Sequence, residues 1–222
     1  MSVFKQATIA KRQRHIHYPD ECPICHRLSE ISLLQSKALP DNTLVEVIFQ
    51  CGFAGCLRYF IGYYGTNDRD RELRWVTPQE ANVEIVPEFV TQLSPSFMDI
   101  FRQAENARTH NLDQIAGPGY RKAFEFLIKD YAKSTLDPEE QADEIGKIES
   151  MFSGNVIGTY VHDKRIEAIA KRALWLGNDE SHYLRKWENH DIEDLIRLIK
   201  LSIHWIEIER ESADYLKEMH PT

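Results

Sequence analysis

Four cysteines constrain this chain more tightly than any other feature of its 222 residues. Cys22 and Cys25 stand in "CPICH", and Cys51 and Cys56 in "CGFAGC". Two close pairs on two facing turns bring four thiolates to one point, the arrangement a closed tetrahedral zinc site takes. A reducing compartment disfavours disulfides between such residues, which strengthens the metal reading. Cys22, Cys25, Cys51 and Cys56 are therefore the expected ligands of one Zn2+. Four thiolates saturate the ion, so its expected role is structural. The second pair encloses four residues rather than two, so its turn is expected to be the looser one. His26, beside a ligand, reads as a surface residue.

Between and after the pairs lie "TLVEVIFQC" and "LRYFIGYYG", rich in branched and aromatic residues as strands are. They predict a zinc ribbon, with two turns gripping a metal and about three antiparallel strands behind it. So small a sheet has little core, and ligation supplies much of its folding free energy. Residues 66–87 read as a connection. "TNDRDRELR" is charged and turn-prone, "NVEIVP" is a candidate extra strand, and Pro78 and Pro87 discourage helix.

From Ser94 the hydrophobic period becomes helical. "SPSFMDIFRQAENA" has Ser94 as an N-cap with Pro95 behind it, and Phe97, Ile100, Phe101 and Ala104 on one face. "PGYRKAFEFLIKDYAK" puts Tyr120, Ala123, Phe124, Leu127, Ile128 and Tyr131 on a core-facing stripe. "LDPEEQADEIGKIESMF" opens with Asp137 and Pro138 in a cap arrangement and has acids in its first turn, where the helix dipole favours them. Two further helices are expected, from about Asp163 to Leu176 and from about Asp191 to Leu216. The chain is thus expected to be α+β, with a zinc-ribbon domain and basic N-terminal arm over 1–80, a connection over 81–93 and a helical bundle over 94–222.

The last helix has two apolar stripes. Ile192, Leu195, Ile196, Ile199, Ile203 and Ile206 form one, with Leu198, Leu201, Trp205 and Ile208 roughly opposite. Trp175 likewise lies opposite the apolar centre of its helix. Two buried faces on one helix point to a partner, and the expected partner is a second copy of the chain.

Charge separates the two parts. Residues 1–80 hold ten Lys/Arg against nine Asp/Glu, and 81–222 hold seventeen against twenty-six, about +1 and −9. An acidic second part argues against broad nucleic-acid binding there, which needs clustered cations. Lys5, Lys11, Arg12 and Arg14 make the first seventeen residues basic, either as a solvated terminus or as a binding arm. No apolar run approaches the roughly 18 residues of a membrane span, and the opening residues have no signal-like apolar core. A cytoplasmic protein is expected.

The order "FRQAENAR", "GPGYRKAFEFLIKDYA", "AKRALWLGNDESHYLRKW" and a long amphipathic helix resembles the bacterial family called domain of unknown function 4145. That family is grouped with the HEPN superfamily of small helical bundles. The likeness spans residues 88–218, with Gly177, Asn178 and His182 as its most specific piece. The resemblance implies a HEPN-like bundle with a zinc ribbon as a familiar companion.

Active HEPN proteins are metal-independent ribonucleases of toxin or antiviral type, with an arginine and a histidine separated by four to six intervening residues. Imidazole moves the 2′-hydroxyl proton while guanidinium stabilises phosphate charge. Here those arginine positions hold Trp175, Leu176 and Gly177. Arg172 lies ten residues before His182, with Arg185 and Lys186 after it. Three roles stay open for His182: a structural one near a helix end at Gly177, ligand recognition, and acid/base catalysis assisted by Arg172. A Gly177-Asn178 turn, Arg185 and Lys186 are the candidate ligand-binding groups. The functions implied are a dimeric interaction or nucleic-acid-associated module in bacterial defence or RNA/DNA processing, or a ribonuclease effector. The implied partners are a second copy, RNA or DNA, and a protein of a defence system.

Overall fold

A computed structural model divides the α+β chain into two compact units, Met1–Asn82 and Val83–Thr222. It describes residues 4–9, 12–41, 43–66, 72–83, 86–137, 141–180, 183–184 and 186–219. No helix among them is long and apolar enough to cross a membrane.

The first unit opens with β1 (Phe4–Ile9) and β2 (Arg12–His17), an antiparallel hairpin. The basic segment is thus paired backbone. Next come β3 (Ile31–Ala38), β4 (Leu44–Cys51), β5 (Tyr59–Gly65) and β6 (Leu73–Thr77), an antiparallel sheet in that spatial order. Strand alternation decides its faces. Val45, Val47, Phe49 and Cys51 of β4 are buried, while Leu44, Glu46, Ile48 and Gln50 between them are only half-buried. The buried face packs on Phe60 and Tyr64 of β5 and on Ile16 and Tyr18. Gly62 makes room there, because a Cβ on it would stand 2.9 Å from the Phe49 ring.

The fourth strand is a correction to the sequence reading. It is Leu73–Thr77, inside the expected connection over 66–87, whereas the described residues around Asn82–Pro87 form no strand, Glu84 and Ile85 lying outside them. As an edge strand β6 half-buries only Leu73 and Val76, so it needs little of the apolar alternation that betrays a central strand. Trp75 stacks on its cross-strand neighbour Tyr63, ring centroids 4.7 Å apart.

The second unit is helical: α1 (Glu88–Leu93), α2 (Pro95–Thr109), α3 (Asp113–Ser134), α4 (Gln141–Ser150), α5 (Ser153–Tyr160), α6 (Lys164–Asp179) and α7 (Ile192–Glu218). The expected 81–93 connection therefore contains a helix whose Val90 is fully buried in the helical core. At the centre stands α3, which packs on all six others. Its apolar stripe, Tyr120 to Tyr131, is buried as the period requires. The helix begins earlier than expected, so Gly117, Pro118 and Gly119 lie within it. No helix starts at "GPGYRK". A Cβ on Gly117 would stand 2.8 Å from Glu180 Cβ, and one on Gly119 3.0 Å from Ala104 Cβ. Small residues let neighbouring helices approach.

Caps explain the starts. Asp163 accepts from the N–H groups of Arg165 and Ile166, and Asp191 from those of Glu193 and Asp194. Ser94 occupies the cap position of α2 with Pro95 behind it, but its buried hydroxyl donates to Asp130 Oδ2 at 2.5 Å instead of capping. The cap expected at Asp137-Pro138 falls partly outside the described residues.

The stripes of α7 also divide differently. Leu195, Ile196, Ile199, Ile203 and Ile206 are core. Of the second stripe, Leu198 and Trp205 pack against that core, and the Arg165 guanidinium lies 4.3 Å over the Trp205 ring, leaving Leu201 exposed. Part of the second face is thus covered within the chain.

Hydrogen bonding to Arg165, and then to the backbone N–H groups of the cap, holds the Asp163 carboxyl at about 2 against the opposing effect of burial. A carboxylate lowered on folding contributes stability that is complete above its unfolded value near 4 and lost as pH falls toward 2. Asp163→Ala should cost about 1 kcal/mol. In urea titrations, Asp163→Asn should differ from wild type most at neutral pH, and the gap should close between about pH 4 and pH 2.

Candidate metal centre and motif loop

The thiol sulfurs of Cys22, Cys25, Cys51 and Cys56 all lie within 4.8 Å of one another. None is in a disulfide. Cys25 Sγ and Cys51 Sγ are 3.8 Å apart, far beyond the roughly 2.05 Å of an S–S bond. With metal–sulfur bonds of about 2.3 Å, the edge of a sulfur tetrahedron is also about 3.8 Å. The donor set fits a single metal ion.

Both turns are built alike despite their different lengths. The residue after each second cysteine is left-handed, His26 at φ 54 and Leu57 at φ 51. Their N–H groups return to the Cys22 and Phe53 carbonyls at 2.9 and 3.1 Å. Gly52 is required because the Glu30 carbonyl oxygen would stand 2.3 Å from any Cβ. The chain after β6 ties the two turns together. Glu80 N–H donates to the Pro23 carbonyl at 2.9 Å, and its carboxylate accepts from Arg58 at 2.5 Å.

The thiols are electrostatically unequal. Burial pushes Cys22 up to about 12, against N–H groups of Cys25 and Ile24 that favour its thiolate. At Cys51 burial also opposes ionisation, but the Ser29 hydroxyl, 3.3 Å away, the Phe53 N–H and the neighbouring thiols outweigh it and hold the group at about 7. Backbone donors aimed at sulfur stabilise the thiolates that a metal requires. His26 bonds to Glu21 at 3.1 Å, a pairing of the turn with its own flank.

The second candidate site lies at the end of α6. The helix does not stop at Gly177; it runs to Asp179, and no glycine among the described residues has positive φ. Gly177 is instead buried at a helix crossing, where a Cβ would meet Arg121 Cβ at 2.9 Å. Beside it Asn178 Oδ1 accepts from Arg121 Nε at 2.5 Å. Arg172 is exposed and donates to the Ala168 carbonyl of its own helix at 2.7 Å. His182 and Arg185 lie outside the described residues. Lys186 is exposed, and its backbone N–H donates to Asp179 Oδ1 at 2.7 Å.

Asp179 is the organising residue, and the sequence reading passed over it. Only 4% exposed, it accepts from Trp187 N–H at 2.9 Å as well as from Lys186. A signal for it was present: an acid in the last turn faces the negative end of the helix dipole, so it needs a local reason to be there. The reason is the loop it folds back. Around that loop Trp175, Tyr183, Leu184 and Trp187 are exposed. They contribute to a cavity of about 700 Å³ with Asn178, Asp179 and Lys186, and an adjoining one of about 390 Å³ shares Trp175 and Trp187. His190 closes the loop with a 2.9 Å contact to Asp194, whose carboxyl that contact lowers.

Comparisons with protein-family models, curated proteins and solved structures give no match to this chain.

Removing the Asp179 charge should free the loop. Asp179→Asn keeps the volume but sets an amide N–H against one of the two half-buried N–H donors, a loss of about 1 kcal/mol or more. Chemical denaturation should read that loss, and hydrogen exchange should show the Lys186 and Trp187 amides unprotected in a protein that still folds.

Proposed function

We propose that the chain is a zinc ribbon joined to a HEPN-like helical domain, a homodimeric, nucleic-acid-associated interaction module of a defence or RNA/DNA-processing assembly. The observation that carries the interaction reading is the loop after α6. Two of its described polar residues are engaged in holding structure, Asn178 bonded to Arg121 and Asp179 to two backbone N–H groups. Beside the exposed Lys186, Glu188 and Asn189 it turns four large apolar side chains outward, Trp175, Tyr183, Leu184 and Trp187. Such a surface suits a partner better than a proton transfer. Leu201, exposed on α7, extends the argument for a second copy. The helix order and the Gly177-Asn178 motif support HEPN-like kinship.

Zinc is the metal the donor set favours, since four thiolates in a closed tetrahedron suit it and leave no open position. Purified protein should hold one zinc per chain. Cys22→Ser and Cys51→Ser should each lose it and unfold the first unit while the helical signal persists; protein without stoichiometric zinc, or with another metal, refutes this assignment.

For association, light scattering should give twice the chain mass, and Trp175→Glu with Leu201→Glu should give a folded monomer. A wild-type monomer ends the dimer reading.

A second reading, a metal-independent ribonuclease using His182, is favoured by the cavity beside the motif loop and its Lys186. No arginine occupies the family's spacing, and losing one placed donor typically costs 100- to 1000-fold, roughly, in rate. We therefore expect no specific cleavage. RNA fragments ending in cyclic phosphate without added metal, lost in His182→Ala at unchanged Tm, would establish the nuclease instead.

A further inference from the structure

From Arg197 onward, α7 divides into two halves of opposite charge. Residues 197–206 hold Arg197 and Lys200 and no acid, whereas residues 207–219 hold five acids against Arg210 and Lys217, about +2 and −3. The two acids before them, Glu193 and Asp194, are held within the chain by Arg108 and His190. One face joins the halves. Arg197, Leu201, His204, Ile208, Glu211 and Tyr215 recur at steps of four and three, the spacing of a helix–helix seam, and Met219 continues it. All are exposed except Ile208, which is half-buried, so this is not the face that packs on the core. Lys200 and Glu218 flank it, both exposed. From Glu211 to Met219 every residue is exposed, including Tyr215 at 65% and Leu216 at 75%. A helix gains most of its stability by packing an apolar face, and the apolar groups at this end of α7 lie in the open.

We propose that α7 pairs with α7 of a second copy, antiparallel about a two-fold axis near Ile208. Charge decides both the occupant and the direction. Parallel pairing would set cation on cation and acid on acid. Antiparallel pairing brings Arg197 and Lys200 against the partner's Glu211, Asp214 and Glu218, and symmetry repeats the match at the other end. A two-fold contact needs such a patch, since one surface must serve on both sides. Glu207, nearest the axis, lies off the seam and has His204 of its own chain 4.0 Å away. The apolar groups follow the same direction. Leu201 lies toward the partner's Tyr215, and Ile208 lies near its own copy. The partner's Leu216 and Met219 reach the cavity of about 390 Å³ that Trp175, Trp187 and Leu198 line beside Arg197. One contact thereby covers Trp175 of α6 and Leu201 of α7 together.

The inference rests on the homodimer reading above and is narrower, naming the surfaces that meet and their direction. The test uses the full zinc-loaded chain at low salt, its mass read by light scattering and native mass spectrometry. Arg197→Glu with Lys200→Glu makes both halves acidic, and Glu211→Lys with Asp214→Lys makes both basic. Each pair of exchanges should raise the dimer dissociation constant roughly tenfold or more. Mixed together, the two variants should form a heterodimer. All four exchanges in one chain should restore a homodimer that excludes the wild type, because each half then meets its like across the antiparallel contact. Circular dichroism and Tm are checked for every variant, and the second pair carries the test if the first unfolds. Wild-type affinity in both folded pairs overturns this inference and leaves the dimer on another face. Ready exchange of the fourfold variant with wild type overturns the antiparallel direction. A wild type that stays monomeric at every concentration overturns this inference and the dimer reading together.

Discussion

Four sulfurs within 4.8 Å make the first unit what it is. As thiolates they would repel one another strongly, and as thiols they bury four weakly bonding groups for little return. A cation between them resolves both difficulties. The cluster does not sit apart from the hydrophobic core: Cys22 and Cys51 belong to it with Phe49, Phe60 and Tyr64. Ligation therefore fixes one end of the same packed layer that the strands build. The left-handed residues at His26 and Leu57 and the close approach at Gly52 are local costs that only this convergence justifies.

In the helical unit the equivalent constraint is the closeness of α3 to its neighbours. Gly119 meets Ala104 of α2, Gly117 meets Glu180, and Gly177 of α6 meets Arg121 of α3. Side chains at these points would push the helices apart and open the core around Tyr120, Phe124 and Leu127. The Arg121–Asn178 hydrogen bond lies at the same crossing. Gly177 and Asn178, adjacent in sequence, are thus explained together by one contact between helices. Asp179 continues the series, turning from the crossing to the loop.

Much of this was legible in the sequence, and the exceptions share a cause. The cysteine spacing gave the cluster, and strict periodicity gave β4, β5 and the core stripe of α3, because each feature repeats within a few residues. The β1–β2 hairpin stands where an arm was expected, no run was assigned to β3, and β6, α1 and α5 were missed as well. Edge strand β6 buries little, α1 has only six residues, and α5 contains two glycines in "SGNVIGTY". Each is held by tertiary contact rather than by its own propensity. Gly177 was misread for a related reason. A glycine before Asn178 satisfies the local rule for a helix end, but the partner that demands a glycine there, Arg121, is 56 residues away in sequence. Asp179 was overlooked because its donors lie seven and eight residues ahead, in a loop without periodicity.

The division of labour among these residues bears on what such a protein can do. Proton transfer needs a polar group held in place yet available to a substrate. Around the α6 end, Asn178, Asp179, Arg172 and His190 each have an internal partner. Recruiting any of them would mean breaking a bond that shapes the loop, so catalysis and loop geometry would compete. Aromatic side chains face no such conflict, since they offer contact area without giving up an internal hydrogen bond. Tyr59 and Trp75 on the sheet and Trp175 and Trp187 by the loop are placed that way, their backbones fixed by strand, helix or carboxylate and their rings exposed. Rigid backbone with exposed rings lowers the entropy lost on contact, which is the requirement of a binding surface. At the sheet and at the α6 end alike, a few large aromatic side chains are thus left exposed on backbone that hydrogen bonds hold in place.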